Sequence, residues 1–301
     1  MSLSQSLRKA IMQFKVLPLE LFCPGKCLYI AGDLHLSKTA LNFFNHNLGD
    51  DLNIPVVSFL SGKHVIPFRY SFLGKKRDRH LVIGSMIDAW SSPRSIIWGA
   101  GLIKPLSSPI PIPKAIFAVR GPMTRNELLK YGIACPEVYG DPAILMPEIF
   151  SPQTTSRRGI ALIPHISDMG HPFVSQWRSR GGKVLDVSQY GDWRQFIVEL
   201  NGCEAVLSSS LHGLILADAY NVPSQRLLLE NKLIGGDFKF LDYYLSFLQK
   251  APEALRVEDV ADESEAGILD KIVASWHPLP KELKNKLLEC CPFLRLKGET
   301  P

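Results

Sequence analysis

Residues 204–220 read EAVLSSSLHGLILADAY, and this stretch decides the fold. Glu204–Ser209 is short and apolar, the pattern of a buried strand. Three serines close it, and within one or two residues the sequence LHGLILADAYN reads as a helix, followed by a further strand, SQRLLLE. Strand, tight turn, helix and strand make the repeating unit of a parallel α/β sheet. The turn sets Ser209, Ser210 and His212 at the carboxyl end of a strand and the amino end of a helix. Unpaired N–H groups and the helix dipole favour an anion there, and open α/β sheets bind their ligands at that edge. Gly213 allows a ligand or a neighbouring backbone to come close. The same residues also fit a plainer role, with the serines capping the helix and His212 making a structural hydrogen bond. The local pattern leaves both open.

The alternation extends in both directions. GIALIPH (159–165) and KVLDVS (183–188) read as strands, and DWRQFIVELNG as a helix capped by Asp192 and stopped near Gly202. Ahead of them SPQTTSRRG (151–159) has no large apolar residue and reads as a linker. Before the linker, PVVSFL (55–60), HLVIG (80–84), SIIWG (95–99) and KAIFAVR (114–120) read as strands. PMTRNELLKY (122–131) reads as a helix with Pro122 in its first turn and Gly132 as its stop. EVYGDPAILMP adds a short strand broken at Gly-Asp-Pro, and PKELKNKLLEC (280–290) an amphipathic helix free to pack back on either half. The expectation is an α/β protein of two Rossmann-like domains, 1–152 and 153–301, facing a cleft.

Composition narrows the function classes. A chain of 301 residues with 46% hydrophobic and 21% charged residues is globular rather than disordered. No run approaches the ~20 apolar residues of a membrane span. Arg8, Lys9 and Lys15 interrupt what would have to be the apolar segment of a signal peptide. Cys290 and Cys291 are adjacent, and Cys23 and Cys27 lack zinc-knuckle spacing, so the six cysteines read as structural thiols. The 34 Lys plus Arg exceed the 29 Asp plus Glu by 5, too small a surplus for nucleic acid but compatible with an anionic ligand or an anionic membrane surface. Neither a metal nor an organic cofactor is expected, since no metal-ligand constellation is present.

Other turns carry polar groups. In AVRGPMTR (118–125) a strand ends at Arg120, and Arg125 lies in the next helix's first turn, where the dipole disfavours a cation unless an anion compensates. NHNLGDDLN (45–53) projects Asp50 and Asp51 after Gly49, either for proton transfer or as an ordinary turn. IGS (83–85), WGAG (98–101) and YGDP (139–142) are glycine turns after strands, and LIPH puts His165 at another strand's end.

Taken in order, NLGDDLN, IGSMI, WGAG, AVRGPMTR, YGDPAIL, LIPH and SSSLHGLILADAY resemble the polysaccharide pyruvyl transferase family, from about residue 45 to 220. That resemblance implies a fold similar to GT-B glycosyltransferases and transfer of the carboxyvinyl unit of phosphoenolpyruvate to two hydroxyls of a sugar, as a cyclic ketal. It puts Arg120, Arg125, Ser209, Ser210, Leu211 and Gly213 on the phosphoenolpyruvate side. His212, His165 and Asp50 become catalytic candidates, and Gly49, Asp51, Ser85, Gly99, Gly101 and Asp141 fall to the acceptor or cleft. The implied setting is cytoplasmic, at the inner membrane surface, with a lipid-linked oligosaccharide acceptor and no nucleic acid. A nucleotide-sugar glycosyltransferase and an inactive glycan-binding protein are the rival readings. Two departures from the family pattern stand out: Ala100 replaces a small polar residue in WGAG, and His46-Asn47-Leu48 precedes Gly49 where an aromatic is frequent.

Overall fold

The computed structural model describes residues 3–31, 47–229 and 235–294. Strands β1 (Cys27–Ile30), β2 (His64–Pro67), β3 (Arg79–Leu81), β4 (Ser95–Trp98) and β5 (Ala115–Ala118) form one parallel sheet, in the order β2-β1-β3-β4-β5. Strands β6 (Ile160–Ile163), β7 (Lys183–Val184), β8 (Ala205–Ser208), β9 (Ser224–Leu228) and β10 (Leu255–Arg256) form a second, in the order β10-β9-β8-β6-β7. Counted from its own first strand, the second sheet repeats the 2-1-3-4-5 order of the first. Each is therefore Rossmann-like, with its chain reversal between the first and third strands: β1 and β3 in one, β6 and β8 in the other.

The central strands β6 and β8 are buried on both faces, which is why they read as apolar runs. Ile30, Trp98 and Ala118 face the same apolar cluster as Ala161, Ile163 and Val206 of the second sheet. Alternate residues face away from it: Leu81, Ile97 and Val119 into a second cluster, and Leu162, Ala205 and Leu207 into a third. The helix Leu211–Ala219 is buried around nearly its whole circumference, matching its almost uniformly apolar sequence.

Two expected strands take other forms. PVVSFL lies in the helix Asn53–Ser61, which stops at Gly62 in the left-handed region (φ 65°). A six-residue apolar run fits a buried helix as well as a buried strand. Here Asn53 decides the geometry by bonding both the N–H and the C=O of Ile83, which anchors the helix start to the chain leaving β3. EVYGDPAILMP contributes one bridge, between Val119 and Tyr139. Asp141 then caps a 3-10 turn, Pro142–Leu145, by accepting the N–H of Ala143. Pro142 has no N–H to give a ladder, so the strand cannot continue.

The tail helix Lys281–Glu289 reaches the first sheet. Trp98 on β4 donates its indole N–H to the Leu287 carbonyl at 2.9 Å and stacks edge-on with Phe293. Among the described residues no helix is long and apolar enough to cross a membrane.

Candidate functional site

A pocket of about 190 Å³ lies where the reversal points of both sheets open. Ser85, just beyond β3, lines it, as do His165 beyond β6 and Ser210, Leu211 and His212 beyond β8. Asn47 and Asp50 of the short helix Leu48–Asp51 complete one side, and Ile103, Ile166, Val187 and Lys239 the rest. At ~30 Å³ per water molecule this is room for about six waters, the scale of a small metabolite.

The turn after β8 is built from its serines. Ser208 Oγ accepts the Ser210 N–H at 3.0 Å and lies 2.7 Å from the Ile163 carbonyl, which ties β8 to β6. Ser209 Oγ accepts the His165 N–H and donates to Asp168, so it shapes the neighbouring turn from beneath. Ser210 is the N-cap of Leu211–Ala219, yet its side chain makes no capping bond. The first intrahelical bond there runs from the Leu214 N–H to the Ser210 carbonyl, so the N–H groups of Leu211, His212 and Gly213 precede it. Gly213 packs on Ser208 and Ile163 with no room for a side chain.

The His212 ring rests on the backbone of Gly49, where a Cβ would overlap it at Nδ1. The GDD turn and the SLHG turn therefore require each other, and glycine at 49 is what permits the approach. On its other side His212 Nε2 lies 3.8 Å from Asp141 Oδ2. Asp50 accepts a hydrogen bond from Asn47 at 2.9 Å and faces the same pocket.

Two basic groups at the pocket are shifted by their surroundings. Lys239 is 8% exposed and makes no hydrogen bond among the described residues. Burial, and then the charges of Arg120 and Arg226, lower its ammonium to about 8. Burial, and then the charge of Lys239, lower His165 to about 4, so its ring is neutral near pH 7. His165 Nδ1 accepts the Ser167 N–H, which leaves the proton of the neutral ring on Nε2. A neutral imidazole, a buried cation and a helix start with free N–H groups suit an anionic ligand.

The family model described as polysaccharide pyruvyl transferase matches residues 47–224, more than half of the chain. The chain belongs to this family. No match is found among curated proteins. Family membership makes it a transferase acting on a polysaccharide.

The two arginines of AVRGPMTR do not line the pocket. Arg120 is fully buried, and its guanidinium donates to Asp242 (3.1 Å), Ser85 Oγ (2.6 Å) and the Leu102 carbonyl (2.5 Å). The compensating anion expected from a ligand is thus a carboxylate of the chain itself, and Arg120 touches the pocket only through Ser85. Arg125 bonds the Cys135 carbonyl and pairs with Glu137 at 3.2 Å, away from the pocket. Asp51 accepts the Tyr190 hydroxyl at 2.5 Å, a link between the two halves of the chain. Gly99 turns the chain at φ 88° against Pro142, and Gly101 carries the flat face of the Arg120 guanidinium. Lys239 is the charged pocket residue that sequence reading missed, along with Asn47, Ile103, Ile166 and Val187. A lone lysine in the aromatic run FKFLDYY was its one available signal.

Proposed function

We propose that the pocket binds phosphoenolpyruvate and that the chain transfers its carboxyvinyl unit to two hydroxyls of a sugar as a cyclic ketal. The carrying observation is that Lys239, His165 and the open start of Leu211–Ala219 face Asp50 and Ser85 across a single small pocket. In this reading Lys239, Ser210 and the helix N–H groups hold the donor's phosphate and carboxylate, and neutral His165 donates Nε2–H to one of them. His212 protonates the methylene carbon, which makes C2 electrophilic, and Asp50 receives the proton of the attacking hydroxyl. Phosphate leaves and the second hydroxyl closes the ketal. Of the two hydroxyl protons released overall, one is balanced by the new C–H bond and the other departs with phosphate.

The two sheet-centred halves, 1–152 and 153–301, are read as domains meeting at this pocket in an arrangement similar to GT-B glycosyltransferases. The acceptor is read as a lipid-linked oligosaccharide met at the cytoplasmic face of the membrane. Incubation with phosphoenolpyruvate and candidate glycans, followed by phosphate release and NMR of the ketal methyl group, tests the reading. Sugar transfer from a nucleotide donor, or no turnover with any donor, overturns it.

A further inference from the structure

Asp141 Oδ2 and His212 Nε2 are both buried, neither has a hydrogen-bond partner among the described residues, and they face each other at 3.8 Å. A polar atom left alone in the interior is costly, and native proteins leave few of them. Two such atoms opposed at this distance lack only a movement of about 1 Å to meet at the ~2.8 Å of a charge-assisted hydrogen bond. The carboxylate is already anchored, because its Oδ1 accepts the Ala143 N–H at 3.0 Å. The ring is anchored as well, between Asp141 and the bare backbone of Gly49.

We infer that Asp141 is a positioning residue that fixes the proton of the neutral His212 ring on Nε2 and so presents an unprotonated Nδ1 to the pocket. An ionised carboxylate only accepts, so a lone pair on Nε2 would oppose another lone pair, and the proton must sit there. The other titratable groups that line the same pocket as the ring are Asp50, His165 and Lys239. The assignment rests on the pyruvyl-transfer reading only for its catalytic consequence: Nδ1 is the atom that takes up a proton from water and delivers it to the donor carbon, and the acceptor hydroxyl proton received by Asp50 returns to water in exchange. The ring geometry stands without that reading.

Asp141→Asn is the informative change, because asparagine caps a turn as well as aspartate does. Its Oδ1 remains committed to the Ala143 N–H, so its amide NH₂ faces Nε2 and makes that nitrogen an acceptor. The proton then moves to Nδ1. Nitrogen-15 NMR of histidine-labelled protein, with the His212 signals assigned through His212→Gln, reads the tautomer directly at a pH where the ring is neutral. The wild type is expected to be Nε2–H and the folded Asp141→Asn variant Nδ1–H. Turnover is expected to fall 10²- to 10⁴-fold with little change in donor KM, since amide replacement of the carboxylate behind a catalytic imidazole costs ~10⁴-fold in the Ser-His-Asp triad. A wild-type ring protonated on Nδ1 overturns the assignment without any variant, and so does an unchanged tautomer in folded Asp141→Asn. A wild type that forms no ketal overturns the pyruvyl-transfer reading instead, and the ring measurements then decide the pair by themselves.

Discussion

The helices Pro122–Lys130 and Leu211–Ala219 both begin just after a strand, and both starts offer N–H groups to an anion. At the first, Asp242 fills the place. Its Oδ1 accepts the Thr124 N–H at 2.8 Å, and its Oδ2 accepts the Thr124 hydroxyl at 2.7 Å and the Arg120 guanidinium. At the second, no carboxylate among the described residues bonds the first N–H groups, and a buried lysine lines the same pocket. One short helix, Phe238–Tyr244, supplies both Asp242 and Lys239. The same local chemistry is thus closed off in one place as scaffold and left open in the other as a site. Nearness of a cation to a pocket does not make it a ligand for the substrate; whether its own chain has already neutralised it decides that.

The comparison can be broken in four ways. The largest effect is expected at the open end: His212→Ala should lower ketal-forming turnover by ~10²–10⁴-fold with the melting transition preserved, and near-normal turnover would remove His212 from the chemistry. At the closed end the expected loss is in stability. Arg120→Ala leaves Asp242 charged and unpaired in the interior, and denaturant unfolding should show a loss of about 3–5 kcal/mol. Lys239→Met is the counterpart. It removes a desolvated charge that makes no hydrogen bond among the described residues and only lies over the Phe240 ring, so stability should hold or rise while the donor KM climbs by ~10–100-fold, equivalent to about 1.4–2.8 kcal/mol. If Arg120→Ala raised the donor KM without destabilising the fold, the two helix starts would have to exchange roles.

The smallest effects are in pH profiles. Lys239 carries its charge below about 8, so kcat/KM for the donor should fall as pH rises through that value and flatten in Lys239→Met. For His165 the folded ring titrates near 4, below its ordinary value of 6.5. The unfolded chain therefore binds a proton that the folded one refuses between those values, and stability should decline as pH falls from 6.5 to 4. His165→Gln should flatten that part of the unfolding profile.

Much of the scaffold is legible in the sequence because burial on both faces leaves a plain signal. The runs that became β3, β4, β5, β6, β8 and β9 end at glycine, serine, histidine or a charge, and the chain turns there. PVVSFL misleads because its helical character rests on Asn53 bonding Ile83, thirty residues away. The open helix start at Ser210–His212 is equally legible, since strand, serines and helix are contiguous. What cannot be read locally is who answers each charge. Asp242 lies 122 residues from Arg120, and Asp141 lies 71 from His212. Nothing in AVRGP or GDPA announces those meetings; the tertiary fold, which brings the helix Phe238–Tyr244 to Arg120 and the turn at Asp141 to His212, produces them.

One face of each sheet shares a single apolar cluster, in which Ile30 and Trp98 belong to the same packing as Ile163 and Val206. Severing the chain within 151–159 would therefore yield two fragments that each carry a naked oily surface. Neither half is built to live alone, and the pocket between them survives only for as long as that seam stays shut.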